Sequence, residues 1–431
     1  MLSAHSTALA SPGSIGSVQS IYKQRTSCRA CGAATLTRFL SLGSTPLANS
    51  FLSSPEDFAK EPYLPLEVFF CEECSLVQLT HVVDPALLFR NYIYVTGTSD
   101  TIAKHNIQYA AELANLLALS PTDLVIEVAS NDGSLLSCFQ QYGVRTLGVE
   151  PAENIANVAR SRGVETVREF FGTRTAVDIR KSYGPAKLVI ANNVLAHVDD
   201  PRDFLAGCRE LVSEDGLIVI EAPYLPELLD GLEYDTIYHE HLCYFSAGAL
   251  LRIYDEAGLA VRCIERVSVH GGSLRIYAAR AEESKSHSES VLALVEAERQ
   301  MGLMRIDPYL RFARNVERNR AALLDLLSDA KMRGKVVAGY GAPAKGNTLL
   351  NYCGIGTSLL PYTVDRNPMK VGLYTPGMHI PVREVSVLLE SVPDYVLVLA
   401  WNFAAEIMRQ QQAYAALGGR FILPLPEPRI V

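Results

Sequence analysis

From Asp123 onward the chain alternates short apolar strands with helices, and this restricts its architecture more than any other feature. The stretch "DLVIEVASNDGSLLSCFQQYGVRTLGVEPAENIANVARSRGVETV" reads as a strand through Glu127 and Val128, a turn of small residues, a helix, and a second strand ending in Glu150. "AKLVIANNVLAHVDDP", the helix "RDFLAGCRELVSEDG" and the strand "LIVIEAP" continue the pattern. Such alternation implies an α/β fold with a mostly parallel sheet, whose ligands bind at the carboxyl ends of the strands. After Gly334 a second unit of the same kind begins with "KVVAGYGAPAKGNTLLNYCGI" and the strand "LPYTVD". At 431 residues the chain exceeds what one hydrophobic core supports, so two or three domains are expected.

The turn Ala129-Ser130-Asn131-Asp132-Gly133, followed by an acid closing the next strand, is the physical layout for a nucleoside ligand. Backbone N–H groups at the turn approach the ligand, and Glu150 takes the ribose hydroxyls. With one glycine in the turn, the dinucleotide pattern GxGxxG does not match. Glu127 adds a carboxylate near the end of the first strand, where it would repel a pyrophosphate but suits the amino acid end of S-adenosylmethionine (SAM). Asn192, at the end of the strand "AKLVIAN", completes the candidate cofactor set.

Four of the nine cysteines fall as Cys28-x-x-Cys31 and Cys71-x-x-Cys74. Two such knuckles brought together make a tetrahedral zinc site, and four thiolates leave no open position, so the metal is expected to be structural. An odd cysteine count argues against a disulfide framework. Aromatic and β-branched residues around the second knuckle ("LEVFFCEECSLVQLTHVV") read as strands closing over a small metal-stapled module.

The composition excludes other classes. No apolar run reaches the length of about 18 residues needed for a membrane span. A formal net charge of −8 without a dense Lys/Arg block gives no general attraction for nucleic acid. Residues 1–24 read as a disordered tail, and their Ser/Ala/Gly-rich start lacks the regions of a signal peptide, so a cytoplasmic location is expected.

"YHEHLCYFS", residues 238 to 246, concentrates titratable side chains. On an extended segment His239, His241 and Cys243 would share one face, with Tyr238, Glu240 and Leu242 on the other. The cluster suits proton transfer better than metal binding, because no further ligand cluster accompanies it. His239 is expected to bond to backbone, away from the chemistry. In the last unit, Gly339, Gly341, Gly346 and Asp365 imitate a dinucleotide fold with altered spacing. Lys345 and Asn347, at a helix N-terminus, with Arg366 and Lys370 nearby, fit a sugar diphosphate.

Taken in order, the paired CxxC knuckles, "EVASNDGSLL", "ANNVLAHVDDP", "EYDTIYHEHLCYFS", "HGGSLRIY", "GYGAPAKGNTLLNY" and "PDYVLVLAWNF" resemble the SAM-dependent sugar C-methyltransferases. These act on nucleotide-linked 4-keto deoxysugars, such as the dTDP-sugar C-3 methyltransferases of antibiotic biosynthesis. The resemblance runs from about residue 25 to residue 431. It implies a zinc-binding module (25–95), a Rossmann-like SAM domain (96–280), a helical linker (281–332) and a C-terminal α/β domain that helps hold the nucleotide sugar (333–431). Matched to the family motif, His241 resembles the base, Tyr238 and Glu240 its companions, His197 a further active-site histidine, and Tyr92 a tyrosine that closes over the site. A nicotinamide-dependent sugar oxidoreductase and a non-catalytic zinc and SAM-fold scaffold are the alternatives. Which sugar, which carbon and which oligomeric state are left open.

Overall fold

The computed structural model describes residues 21–90, 100–267, 272–281 and 287–431. Tyr92 and most of the N-terminal tail lie outside the described residues. The tail expected up to residue 24 stops short of that, because Tyr22–Gln24 forms a strand antiparallel to His81–Val83.

The strand Leu124–Val128 sits inside a seven-stranded sheet and is buried along its whole length. Strands covered on both faces read as continuous apolar runs, and Glu127 is the polar exception within this one. Ala186–Asn192 and Arg145–Val149 lie parallel on either side of Leu124–Val128, with Thr166–Val167 and Val212–Pro223 beyond them. Ser273–Arg280 and Leu259–Val267 add an antiparallel edge. The chain moves outward in opposite directions from Leu124–Val128 and Ala186–Asn192. That switch point opens a crevice at their carboxyl ends.

The C-terminal unit repeats the logic. In its six-stranded sheet Val337–Tyr340 lies between Thr363–Val364 and Tyr395–Val398, all parallel, so a second crevice opens beside the helix Ala344–Cys353. Two helices, Glu289–Gln300 and Asp307–Met332, precede it. The longer one buries Tyr309, Phe312, Val316, Asn319, Leu323, Leu327 and Ala330, spaced three or four apart as one helix face requires.

The strands Leu36–Thr45, Leu64–Cys71 and Val77–Leu79 form a small antiparallel sheet near the N-terminus. Its fourth strand comes from far along the chain: Cys243–Tyr244 pairs with Val77 and Gln78. The titratable segment is thereby stitched to the cysteine module.

Candidate active site

The sulfurs of Cys28, Cys31, Cys71 and Cys74 lie within 4.8 Å of one another. A tetrahedral zinc with Zn–S bonds of about 2.3 Å sets its sulfurs about 3.8 Å apart, so the four thiols fit the metal. Burial pushes the Cys71 thiol up to about 11, so a cation is needed for all four to ionise together. The module also reaches outward. Arg29, between the first two cysteines, is fully buried and pairs through Nε with Asp199 Oδ1 at 3.2 Å, two residues after His197.

At the first crevice the turn after Leu124–Val128 holds Ala129, Asn131 and Gly133 at positive φ. A Cβ on Gly133 would stand 2.9 Å from Val164, so the turn and the packing beneath it both require glycine. Glu150 accepts hydrogen bonds from the backbone N–H groups of Asn131 (3.0 Å) and Ala152 (2.9 Å), which ties the acid to the turn. Glu127 Oε2 is buried without a hydrogen-bond partner among the described residues, and burial, then Asp132 and Glu150, push its carboxyl well above the usual range. A carboxyl oxygen without a partner among the described residues, beside this turn, is chemically suited to an ammonium such as that of SAM. Asp132 takes no place in the crevice wall: its carboxylate pairs with Arg162 at 2.5 Å beneath the turn.

Residues 238–242 are not extended. The His241 N–H donates to the Tyr238 carbonyl at 2.8 Å, closing a turn, and the strand begins only at Cys243. The cause lies at Leu242, whose N–H donates to the Ala196 carbonyl and whose own carbonyl accepts from Leu79 N–H. Side-chain alternation therefore fails, and Tyr238 and His241, expected on opposite faces, meet. The Tyr238 hydroxyl and His241 Nε2 are 2.8 Å apart, and His241 Nδ1 is 2.7 Å from the Thr236 carbonyl. A carbonyl only accepts, so Nδ1 carries the proton and Nε2 holds the lone pair that receives the Tyr238 O–H.

The His197 ring stands edge-on to that of His241, with centroids 4.7 Å apart, and burial pushes its pKa down to about 4. His239 turns away to the Pro65 carbonyl (Nε2 at 3.3 Å), and Cys243 lies buried in the small sheet. Neither joins His241 in a metal-holding group among the described residues. Glu240 is buried and accepts a 2.7 Å hydrogen bond from Asn49 Nδ2.

The second crevice supplies the remaining wall. Lys345 Nζ lies 3.9 Å from Glu233 Oε2 and over the Trp401 ring, while burial pushes Glu233 up to about 7 against the pull of that lysine. Lys370 Nζ donates to the Ala342 carbonyl at 2.8 Å. Asn347 is fully buried and donates to the Ala48 carbonyl at 2.7 Å instead of lining the crevice. Arg366 is exposed and stands 4.0 Å from Glu406, outside the cavity.

One cavity of about 700 Å³ gathers these walls. Of the candidate catalytic, cofactor-binding and substrate-binding residues it is lined by Glu127, Ala129, Asn131, Glu150, Asn192, His197, Tyr238, His241, Lys345 and Lys370, and Ser130, His239, Leu242, Cys243 and Asp365 also reach it. Asp132, Gly133, Glu240, Asn347 and Arg366 do not line it. Sequence reasoning missed Asn49, His105, Glu221 and Glu233, which do. Glu233 opens the quoted stretch "EYDTIYHEHLCYFS" and was within reach of such reasoning, whereas "PLANSF" carries no chemical signature around Asn49.

Comparison with known proteins places three family models in series: "Putative zinc binding domain" over residues 28–89, "Methyltransferase domain" over residues 102–264, and "C-methyltransferase C-terminal domain" over residues 268–426. Fold and site thus define a SAM-dependent methyltransferase whose metal is a structural zinc. The chain is 39% identical to the C-methyltransferase NovU from Streptomyces niveus over 414 residues, 96% of this chain and 99% of that protein. It belongs to the C-methyltransferase family. Among solved structures, a SAM-dependent methyltransferase from Clostridium acetobutylicum ATCC 824 aligns at TM-score 0.34 and 12% identity, over 43% of this chain and 94% of that one. SAM-bound magnesium protoporphyrin IX methyltransferase from Synechocystis PCC 6803 aligns at 0.32 and 14%, over 42% and 82%. Likenesses at this level add no weight to the family match. Membership leaves the nicotinamide and scaffold readings without support. No helix among the described residues is long and apolar enough to cross a membrane.

Proposed function

We propose that this C-methyltransferase acts on carbon next to the ketone of a nucleotide-linked 4-keto deoxysugar, with dTDP the expected nucleotide, by base-catalysed enolate formation. The observation that carries the reading is the Tyr238–His241 pair, with its tautomer set by Thr236, in the cavity that joins the two crevices.

Carbon beside a ketone becomes nucleophilic only when its α-proton is removed, and a positioned group of near-neutral pKa does this best. His241 receives the proton at Nε2, directly or by way of the Tyr238 oxygen, which hands its own proton on as it takes the new one. Either way the positive charge ends on an imidazole whose Nδ1–H is held by the Thr236 carbonyl. His197, kept neutral by burial, adds no charge to compete with that imidazolium and offers an N–H to the enolate oxygen. SAM supplies the electrophilic methyl group when bound, held by Glu127, Glu150 and the 129–133 turn. Lys345 and Lys370 face the diphosphate, and Glu233 tempers the charge of Lys345.

The test is incubation of enzyme and SAM with a panel of nucleotide 4-keto deoxysugars, followed by mass and NMR detection of a new C-methyl group. Failure to methylate any member of the panel would overturn the substrate class.

A further inference from the structure

The family motif makes Glu240 an active-site companion of His241, yet it is 3% exposed and does not line the cavity. Asn49 does, and its Nδ2 donates to Glu240 Oε1 at 2.7 Å. The two residues are 191 positions apart. Asn49 comes from the loop between strands Leu36–Thr45 and Leu64–Cys71, the second of which ends in a zinc ligand. We propose that Asn49 is a substrate-contacting residue delivered by the zinc module, and that Glu240 is a positioning residue acting through it. The proposal rests on the sugar-methylation reading above.

The amide's orientation follows from chemistry. An ionised carboxylate only accepts, so the Asn49 NH2 must face Glu240 and its Oδ1 must point elsewhere. No other side-chain hydrogen bond of Asn49 forms within the described residues, so Oδ1 and the second N–H remain for a ligand. An acceptor beside a donor matches a sugar hydroxyl, which is both. The loop is also held from behind, because Asn347 grips the Ala48 carbonyl at 2.7 Å. Asn49 is therefore fixed by the catalytic segment on one side and by the C-terminal helix Ala344–Cys353 on the other. Charge gives a reason for the arrangement. A carboxylate at the cavity wall would repel a developing enolate, whereas a neutral amide in front of it does not.

The experiment measures kcat and KM with a dTDP-linked 4-keto-6-deoxyhexose for the parent and for Asn49→Ala, Asn49→Asp, Glu240→Ala, Glu240→Gln and the Asn49→Ala/Glu240→Ala double variant. Zinc content, melting and calorimetric SAM affinity are followed in each and are expected to stay at parent values. Asn49→Ala should lower kcat/KM by about 10- to 100-fold. Asn49→Asp, which cannot donate to Glu240, should lose as much. Glu240→Gln, still an acceptor, should recover most of what Glu240→Ala loses. The double variant should be no worse than Asn49→Ala, because the second change removes a group whose effect is already gone. Asn49→Ala at the parent kcat/KM would overturn the proposal, as would losses that multiply in the double variant. A parent that methylates no sugar nucleotide would overturn the functional reading and this proposal with it, and is told apart by the parent's own silence.

Discussion

Tyr238 and His241 share a hydrogen bond of 2.8 Å that exists only because the chain between them turns. Three residues apart in a tight turn, hydroxyl and imidazole point into the same space, and Thr236 decides which ring nitrogen is free to accept. Removing the hydroxyl while keeping the ring isolates this relationship. Tyr238→Phe should reduce kcat about 10- to 100-fold through loss of a positioned proton donor, with SAM affinity by calorimetry unchanged. An unaltered kcat would exclude the tyrosine from proton transfer.

Cofactor binding should depend on two acids that act differently. Glu150→Ala removes the proposed ribose acceptor and a backbone tie of the turn, and Glu127→Gln removes the charge proposed to face the ammonium. Each should weaken SAM by about 10- to 100-fold, as expected for a hydrogen bond to a charged group. Calorimetric titration checks both, and parent affinity in either variant contradicts that residue's role.

How far this was legible depends on whether a residue's role is local. The α/β architecture follows from strand and helix periodicity, and the four-thiolate zinc site from cysteine spacing, because both are encoded within a few residues of where they act. That Glu127 and Glu150 line the cavity was legible because a strand end fixes what lies beside it. The 238–246 segment misled in geometry, since it turns where alternation along a strand was expected. Its conformation is set by Ala196 and Leu79, through Leu242, and no local pattern records those partners. Asn347 and Asp132 looked like ligand-binding residues because of their positions at helix starts, yet their partners are Ala48 and Arg162. Asn49 was invisible for the same reason, since its meaning depends on Glu240.

Zinc should matter to chemistry as well as to folding. The module it closes carries Asn49 and the Arg29–Asp199 pair beside His197. Cys28→Ala with Cys71→Ala should abolish stoichiometric zinc, lower the first melting transition by roughly 5 °C or more and remove methyl transfer. Metal analysis and calorimetric scanning check this. Unchanged melting without zinc would contradict a structural metal.

Acid should destabilise the fold through buried histidines. Burial pushes His197 and His239 from an ordinary value of 6.5 down to about 4. Between those values the unfolded chain binds protons that the folded chain does not. Their contribution is thus complete above pH 6.5, declines as pH falls toward 4, and changes no further below. His239→Gln keeps a donor for the Pro65 carbonyl and removes one titration, so melting measured from about pH 7 to about pH 4 should decline less steeply than in the parent. An identical slope would show that His239 does not contribute.

The central claim is that His241 takes the α-proton, and proton exchange isolates that act because it needs deprotonation but no methyl donor. A dTDP-linked 4-keto-6-deoxyhexose in deuterated buffer without SAM should exchange its α-proton with the parent enzyme, as followed by NMR. His241→Asn should abolish both this exchange and methyl transfer while still binding the sugar nucleotide. Exchange at the parent rate in His241→Asn, particularly if His197→Asn abolishes it, would contradict the assignment and move the base to the neighbouring ring.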